Sequence, residues 1–196
     1  MTNLHSQLPL RTEVFISVDV ETAGPYPGEY SLLSIGACTI FEPLQTFYIE
    51  LKPVHTSAIP EALAVHHLSL EDLADFGIEP REAMARFEAW LKPLVMPGQK
   101  LIFVAFNAPF DWMFVSYYFY RYLRRNPFGH TALDIKAYYM GLTGVPWSTT
   151  SMNEVGPRYL GEHNLSHQAL QDALDQACIF SKMLQESEQF RKGKQP

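Results

Sequence analysis

Residues 13–24 read EVFISVDVETAG, and this stretch decides the architecture. Glu13–Val20 is short, β-branched and nearly continuous in apolar character, the texture of a central strand covered on both faces. At its end stands Asp19-Val20-Glu21, with carboxylates at i and i+2 that project to the same face of a strand. The segment Gly24–Tyr30, with Pro25, Pro27 and Gly28, closes the strand in a loop. Two anions beside an apolar strand repel each other and lose hydration. Either water solvates them on the loop, or a divalent cation resolves the conflict, and oxygen donors suit magnesium or manganese.

Working outward, Leu32–Phe41 and Gln45–Leu51 read as two further strands separated by Glu42-Pro43, completing a three-stranded antiparallel meander. After Pro60 the texture becomes helical: Glu61–His66, then Ser69–Phe76 with Ser69 as N-cap, then Pro80–Leu94. Leu101–Phe106 is a second buried strand, followed by an aromatic helix through Asp111–Leu123 and a short apolar piece near Ala132–Ile135. Further helices lead to a last one running from about Ser166 to Glu188. A meander followed by strand–helix alternation predicts an α/β fold with a mixed sheet flanked by helices. The expected organisation is one domain over residues 1–196 with its core at about 13–190, and flexible ends at 1–12 and 191–196.

Composition sets the outer limits. With 47% hydrophobic residues in 196, the chain is not a disordered tail. Fifteen Lys and Arg against 21 Asp and Glu give a formal charge of -6, which argues against a broad cationic grip on duplex nucleic acid. Cys38 and Cys178 lie in apolar stretches without metal or disulfide spacing, so reduced, buried thiols are expected. No apolar run approaches membrane-spanning length, and the expected setting is the cytoplasm, with no membrane partner.

Two more chemical signals follow the first. Asn107-Ala108-Pro109-Phe110-Asp111 lies just beyond the second buried strand, where Asp111 enters a helix near Asp19 or simply complements that helix's dipole. His167 and Asp172 open the last helix, where Ala169, Asp172, Ala173 and Gln176 share one face, and the alanines permit close approach to the sheet. Each signal is weak alone. Their order, strand, strand-to-helix junction and late helix, places all three where side chains can converge.

These residues resemble the DEDDh 3′-5′ exonucleases of the ribonuclease-H-like superfamily. The motifs stand here as Asp19-x-Glu21, Asn107-x-x-Phe110-Asp111 and His167-x-Ala169-x-x-Asp172-Ala173, and the likeness runs from about Val14 to Phe180. Leu33-Ser34-Ile35-Gly36 and Ala64-Val65-His66 support it, with His67 where the family usually has glycine. Within the family, Asp19–Gly24 and Arg125-Asn126-Pro127-Phe128 are similar to ribonuclease T, although Pro25, with Tyr26 next, stands where that enzyme has an aromatic.

The resemblance implies a ribonuclease-H-like five-stranded mixed sheet and hydrolysis of single-stranded RNA or DNA from the 3′ end to nucleoside 5′-monophosphates. Two Mg²⁺ or Mn²⁺ ions are implied. Asp19 would bridge them, Glu21 and Asp172 would complete the site of the nucleophilic water, and Asp111 would support the second ion partly through water. His167 would take the proton from that water. Thr22, Ala23 and Gly24 would lie against the terminal nucleotide, with Gly24 free to adopt positive φ. Tyr26, His66, Phe106, Asn107 and Phe110 are candidates for stacking and polar contacts, against the plainer possibility that Phe106 and Phe110 fill core.

Arg121, Arg124 and Arg125 form either a phosphate track, beyond the active site or across a homodimer, or a solvated helix end. The alternative functions are a catalytically silent nucleic-acid-binding or scaffolding member of the fold, and a phosphohydrolase of small nucleotides. The charge of -6 also changes meaning: two divalent ions, with four positive charges, would bring it to -2.

Overall fold

The computed structural model describes residues 12–161 and 167–192. Strand β1 (Glu13–Thr22) pairs antiparallel with β2 (Leu32–Thr39), and β2 pairs antiparallel with β3 (Thr46–Glu50). On its other side β1 runs parallel to β4 (Lys100–Ala105), which runs parallel to β5 (Ala132–Asp134). The strand order is β3-β2-β1-β4-β5, the mixed five-stranded sheet expected from the sequence.

The two-residue period of the strands divides the apolar residues into two cores. Ile16, Val18 and Val20 face helices α3 (Pro80–Leu91) and α4 (Ala108–Leu123), packing with Phe87, Phe103, Phe114 and Phe119. Phe15, Cys38 and Val104 face α5 (Ile135–Thr143), α6 (Met152–Leu160) and α7 (Ala169–Lys192), packing with Tyr139, Val155, Phe180 and Met183. Alternation therefore sends Ser17, Asp19 and Glu21 to the α7 side. Phe87 is fully buried and stacks on Phe47 and Phe119, so Phe87→Ala should cost about 3–5 kcal/mol.

Two short helices, α1 (Pro60–His66) and α2 (Leu70–Phe76), connect β3 to α3. Ser69 caps α2 as expected, its Oγ accepting from the Asp72 amide at 3.2 Å.

Gly36 in β2 positions the active end of the molecule. A Cβ there would lie 2.1 Å from the backbone carbonyl carbon of Ala169, so any side chain would lift the start of α7 off the sheet. The two small residues together let the third motif sit directly over the first.

Several boundaries differ from expectation. β1 runs two residues past Val20, because β2 continues to pair with it through Thr22, with a register irregularity after Glu21. Both carboxylates thus belong to the strand. α4 starts at Ala108, three residues before Asp111, with Pro109 in its first turn. The segment through Leu94 is α-helical only to Leu91, and Lys92–Leu94, containing Pro93, tightens to a 3-10 turn. The last helix continues to Lys192, so residues 191–192, expected to fray, are helical. Its expected start at Ser166 and the ends at 1–11 and 193–196 lie outside the described residues. Cys38 is buried, but Cys178 is only partly so.

Candidate active site

The site forms at the carboxyl-terminal edge of the parallel strands, where open α/β sheets place their ligands. β1 projects past β4, the last pair between them being Ser17 with Val104. Beyond that pair the Val20 amide lacks a strand partner, and it donates instead to Asp111 Oδ1 at 3.1 Å. Asp111 is 4% exposed and comes from the first turn of α4, over the end of the sheet.

On the other face, Asp172 descends from the start of α7. Asp19, Glu21 and Asp172 each offer a carboxylate oxygen, and these atoms lie within 4.8 Å of one another. The sequence signals therefore do converge. Burial pushes Asp19 well above the ordinary carboxylate range, and the charges of Asp111, Glu21 and Asp172 push it further. Glu21 is raised to about 8 by burial and then by Asp172 and Asp111; Asp111 is also raised to about 8, chiefly by burial. Hard oxygen donors held this close fit a divalent metal, whose charge would offset their mutual repulsion.

Gln176, one turn after Asp172, was not singled out for a role by sequence reasoning. It is 2% exposed, its Nε2 donates to Asp19 Oδ1 at 2.6 Å, and its Oε1 accepts from the Phe106 amide at 2.9 Å. It ties the central carboxylate to the end of β4. Its i+4 spacing from Asp172 was the available signal. Asp134, at the end of β5, was also missed: Oδ2 accepts from the Ala108 amide at 2.7 Å and Oδ1 from the Ala137 amide at 2.6 Å. One side chain thereby fixes the starts of α4 and α5, and an aspartate just before an apolar helical run was the clue.

A cleft of about 310 Å³ opens beside the carboxylates on the β2–β3 side, lined by Glu21, Ser34, Tyr48, Glu50, His66 and His167 among others. His167 is exposed, at φ 51, just ahead of α7. His66 is buried, and its Nδ1 accepts from the Leu68 amide at 3.1 Å, so the proton resides on Nε2, which donates to the Thr22 carbonyl at 3.2 Å. Burial, outweighing that hydrogen bond, lowers its pKa. His66 thus braces the loop after Glu21, and it presents ring surface to the cleft. His67, where the resemblance has glycine, ends α1 in the left-handed region at φ 59, the conformation that glycine adopts most easily.

The loop itself is firmly held. Ala23 donates to Ser31 and accepts from Ile59, and Thr22 Oγ1 donates to the Gly24 carbonyl at 2.8 Å. Gly24 does not take a positive φ; it supplies space, since a Cβ would lie 2.3 Å from Cδ1 of Tyr30. Tyr26 is exposed and meets Tyr30 edge-on at 5.2 Å. Asn107 is exposed at φ 67, immediately before α4. Phe106 and Phe110 are half-buried, each packed against one of the two cores. Arg125 is held by Glu88 at 2.6 Å, away from this edge.

Among the described residues no helix is long and apolar enough to cross a membrane. The profile of the RNase_T exonuclease family matches residues 16–180. The chain is 48% identical over 168 residues to the 3′-5′ DNA exonuclease Cap18 of Escherichia coli, covering 86% of this chain and 90% of that protein. Among solved structures, the nuclease domain of 3′hExo, a DEDDh family member bound to rAMP, superposes with a TM-score of 0.73 at 16% identity, covering 88% of this chain and 92% of that one. E. coli Exonuclease I in complex with a dT13 oligonucleotide gives 0.71 at 14% identity, covering 92% of this chain but 43% of that one. The family match over most of the chain and the 48% identity to a 3′-5′ exonuclease together show that the chain belongs to the RNase_T exonuclease family as a 3′-5′ exonuclease.

Proposed function

We propose that the chain removes nucleotides one at a time from the 3′ end of single-stranded DNA, releasing nucleoside 5′-monophosphates. The carrying observation is the convergence of Asp19, Glu21, Asp111 and Asp172 at one sheet edge, with like charges facing each other. Together these four would hold two ions of magnesium or manganese, which would supply stabilisation of charge on the attacking and leaving oxygens. His167, beside Glu21 on the wall of the cleft, accepts the proton of the attacking water.

The braced loop of Thr22, Ala23 and Gly24 gives the terminal nucleotide a preformed wall, so little ordering is left to be done on binding. Tyr26, His66, Phe106 and Phe110 offer ring surface to the terminal bases, and Asn107 offers an amide. The 3′ oxygen of the shortened strand is the leaving group. A silent binding role has no comparable support, since nothing but catalysis needs this set of residues in one place. The preference for DNA rests on the similarity to a relative described as a DNA exonuclease.

A time course on single-stranded DNA and RNA of matched sequence, labelled at the 5′ end, with and without Mg²⁺, tests this. Stepwise shortening of DNA that is faster than that of RNA and requires metal is the expected result. Equal or faster loss of RNA would overturn the substrate assignment, and tight binding without shortening under any divalent metal would overturn the hydrolytic one.

A further inference from the structure

Strand order serves as a ruler along the catalytic edge. The cleft lined by His66, Tyr48 and His167 lies on the β2–β3 side of Asp19 and Glu21. A terminal nucleoside seated there, with the scissile phosphate at Asp19, would leave the ends of β4 and β5 as the open path for the rest of its strand. At that far side, Ala105 is in register with Asp134, and Asp134 ties the first residues of α4 and α5 together. Lys136, in the first turn of α5, is therefore carried to the same edge. Its Nζ lies 4.4 Å from the ring centroid of Trp147. Trp147 is 51% exposed, whereas the other two tryptophans, Trp90 and Trp112, pack against the core.

We propose that Lys136 and Trp147 form a docking surface for the upstream part of a single-stranded polynucleotide. This rests on the exonuclease function proposed above. The occupant follows from chemistry: an indole with a cation on one face and open area elsewhere stacks a base, while the ammonium meets a phosphate. Charge complementarity singles out this place, because the neighbouring catalytic groups are acidic. From β1 to β5 is two strand spacings, about 10 Å, and at a stacked rise of about 3.4 Å this reaches about the third or fourth nucleotide from the 3′ end, beyond a dinucleotide.

The test is a binding measurement with the whole chain. Fluorescence anisotropy, in Mg²⁺, follows a single-stranded DNA octamer and a dinucleotide, both with hydrolysis-resistant phosphorothioate linkages. Trp147→Ala should weaken octamer binding about tenfold, and Trp147→Phe should keep most of it. Lys136→Ala should weaken it about threefold and lower the slope of log affinity against log salt by about 1. Dinucleotide binding should not change.

Unchanged octamer binding in both alanine variants overturns the proposal, and so does an equal loss for dinucleotide and octamer. Cleavage of unmodified octamer by the wild-type chain, measured alongside, separates the two layers. Absence of cleavage sinks the exonuclease function, while the octamer-to-dinucleotide difference still judges the docking surface.

Discussion

At the amino-terminal end of β4, a cavity of about 630 Å³ is lined by Glu88, Lys92, Lys100, Arg125 and Phe128, among others; the cleft at the catalytic end measures about 310 Å³. The larger cavity holds charges of both signs, and Arg125 grips Glu88 through two hydrogen bonds of 2.6 Å. This pairing holds the Glu88 carboxyl below its usual range. At the catalytic end four carboxyl groups crowd together, and Asp19, Glu21 and Asp111 are all pushed upward. Opposite charges that satisfy each other secure a surface. Like charges forced together in a buried place store a tension that a metal and substrate can relieve, and such tension marks function better than cavity size does.

The contrast can be broken most severely at Asp19. Asp19→Asn should lower the rate of nucleotide release by at least about 10⁴-fold while leaving the metal-free protein as thermally stable as wild type or more so, because it removes one of the crowded charges. Thermal unfolding in chelator, run beside the assay, checks both halves. His167→Ala should cost about 10²–10⁴-fold in kcat with little change in KM, as expected for a group that moves a proton. A change confined to KM would instead make His167 a binding residue.

Gln176 sharpens the comparison, being the neutral group that orients Asp19 among the acids. Gln176→Leu should weaken Mn²⁺ binding, measured by calorimetry, about 10–100-fold. Unaltered affinity would reduce Gln176 to packing.

The raised carboxyls also predict a sign. Glu21 and Asp111 keep their protons up to about pH 8 in the metal-free fold, against about 4 in an unfolded chain. The folded state therefore binds more protons between those values, and its stability falls as pH rises toward 8. In chelator, the Tm should drop by roughly 5 °C or more between pH 5 and 9, and Mn²⁺ should remove most of the drop. A Tm that climbs with pH in chelator contradicts the crowding. The smallest effect belongs to the other end: Arg125→Ala should leave turnover within about twofold, since the exposed Arg125 and its half-buried partner Glu88 lie away from the cleft.

Much of this arrangement was legible in the chain. The alternation in β1 showed which face Asp19 and Glu21 share, and the meander followed by strand–helix alternation showed a mixed sheet, while the order of its strands came from the structure. The motif spacing then located Asp111, His167 and Asp172. What escaped depends on side chains meeting across the fold. Nothing local tells that Gln176 reaches Asp19, or that Asp134 reaches the start of α4 as well as capping its own helix, because both long-range contacts exist only once α7 and β5 are docked. Arg125 shows the same limit from the other side: the arginine cluster left two readings open, and only the fold shows that Glu88, 37 residues earlier, takes one of the three. Gly24 was read for its backbone freedom, while its use is room for the Tyr30 ring.

The central claim, that the like-charged edge is a metal-dependent hydrolytic centre, meets its most direct test in one measurement. The rate of nucleoside 5′-monophosphate release from single-stranded DNA is followed with protein stripped of metal, before and after Mg²⁺ or Mn²⁺ is added. No release before addition and full release after it is the predicted result. Release at the full rate in excess chelator would contradict it.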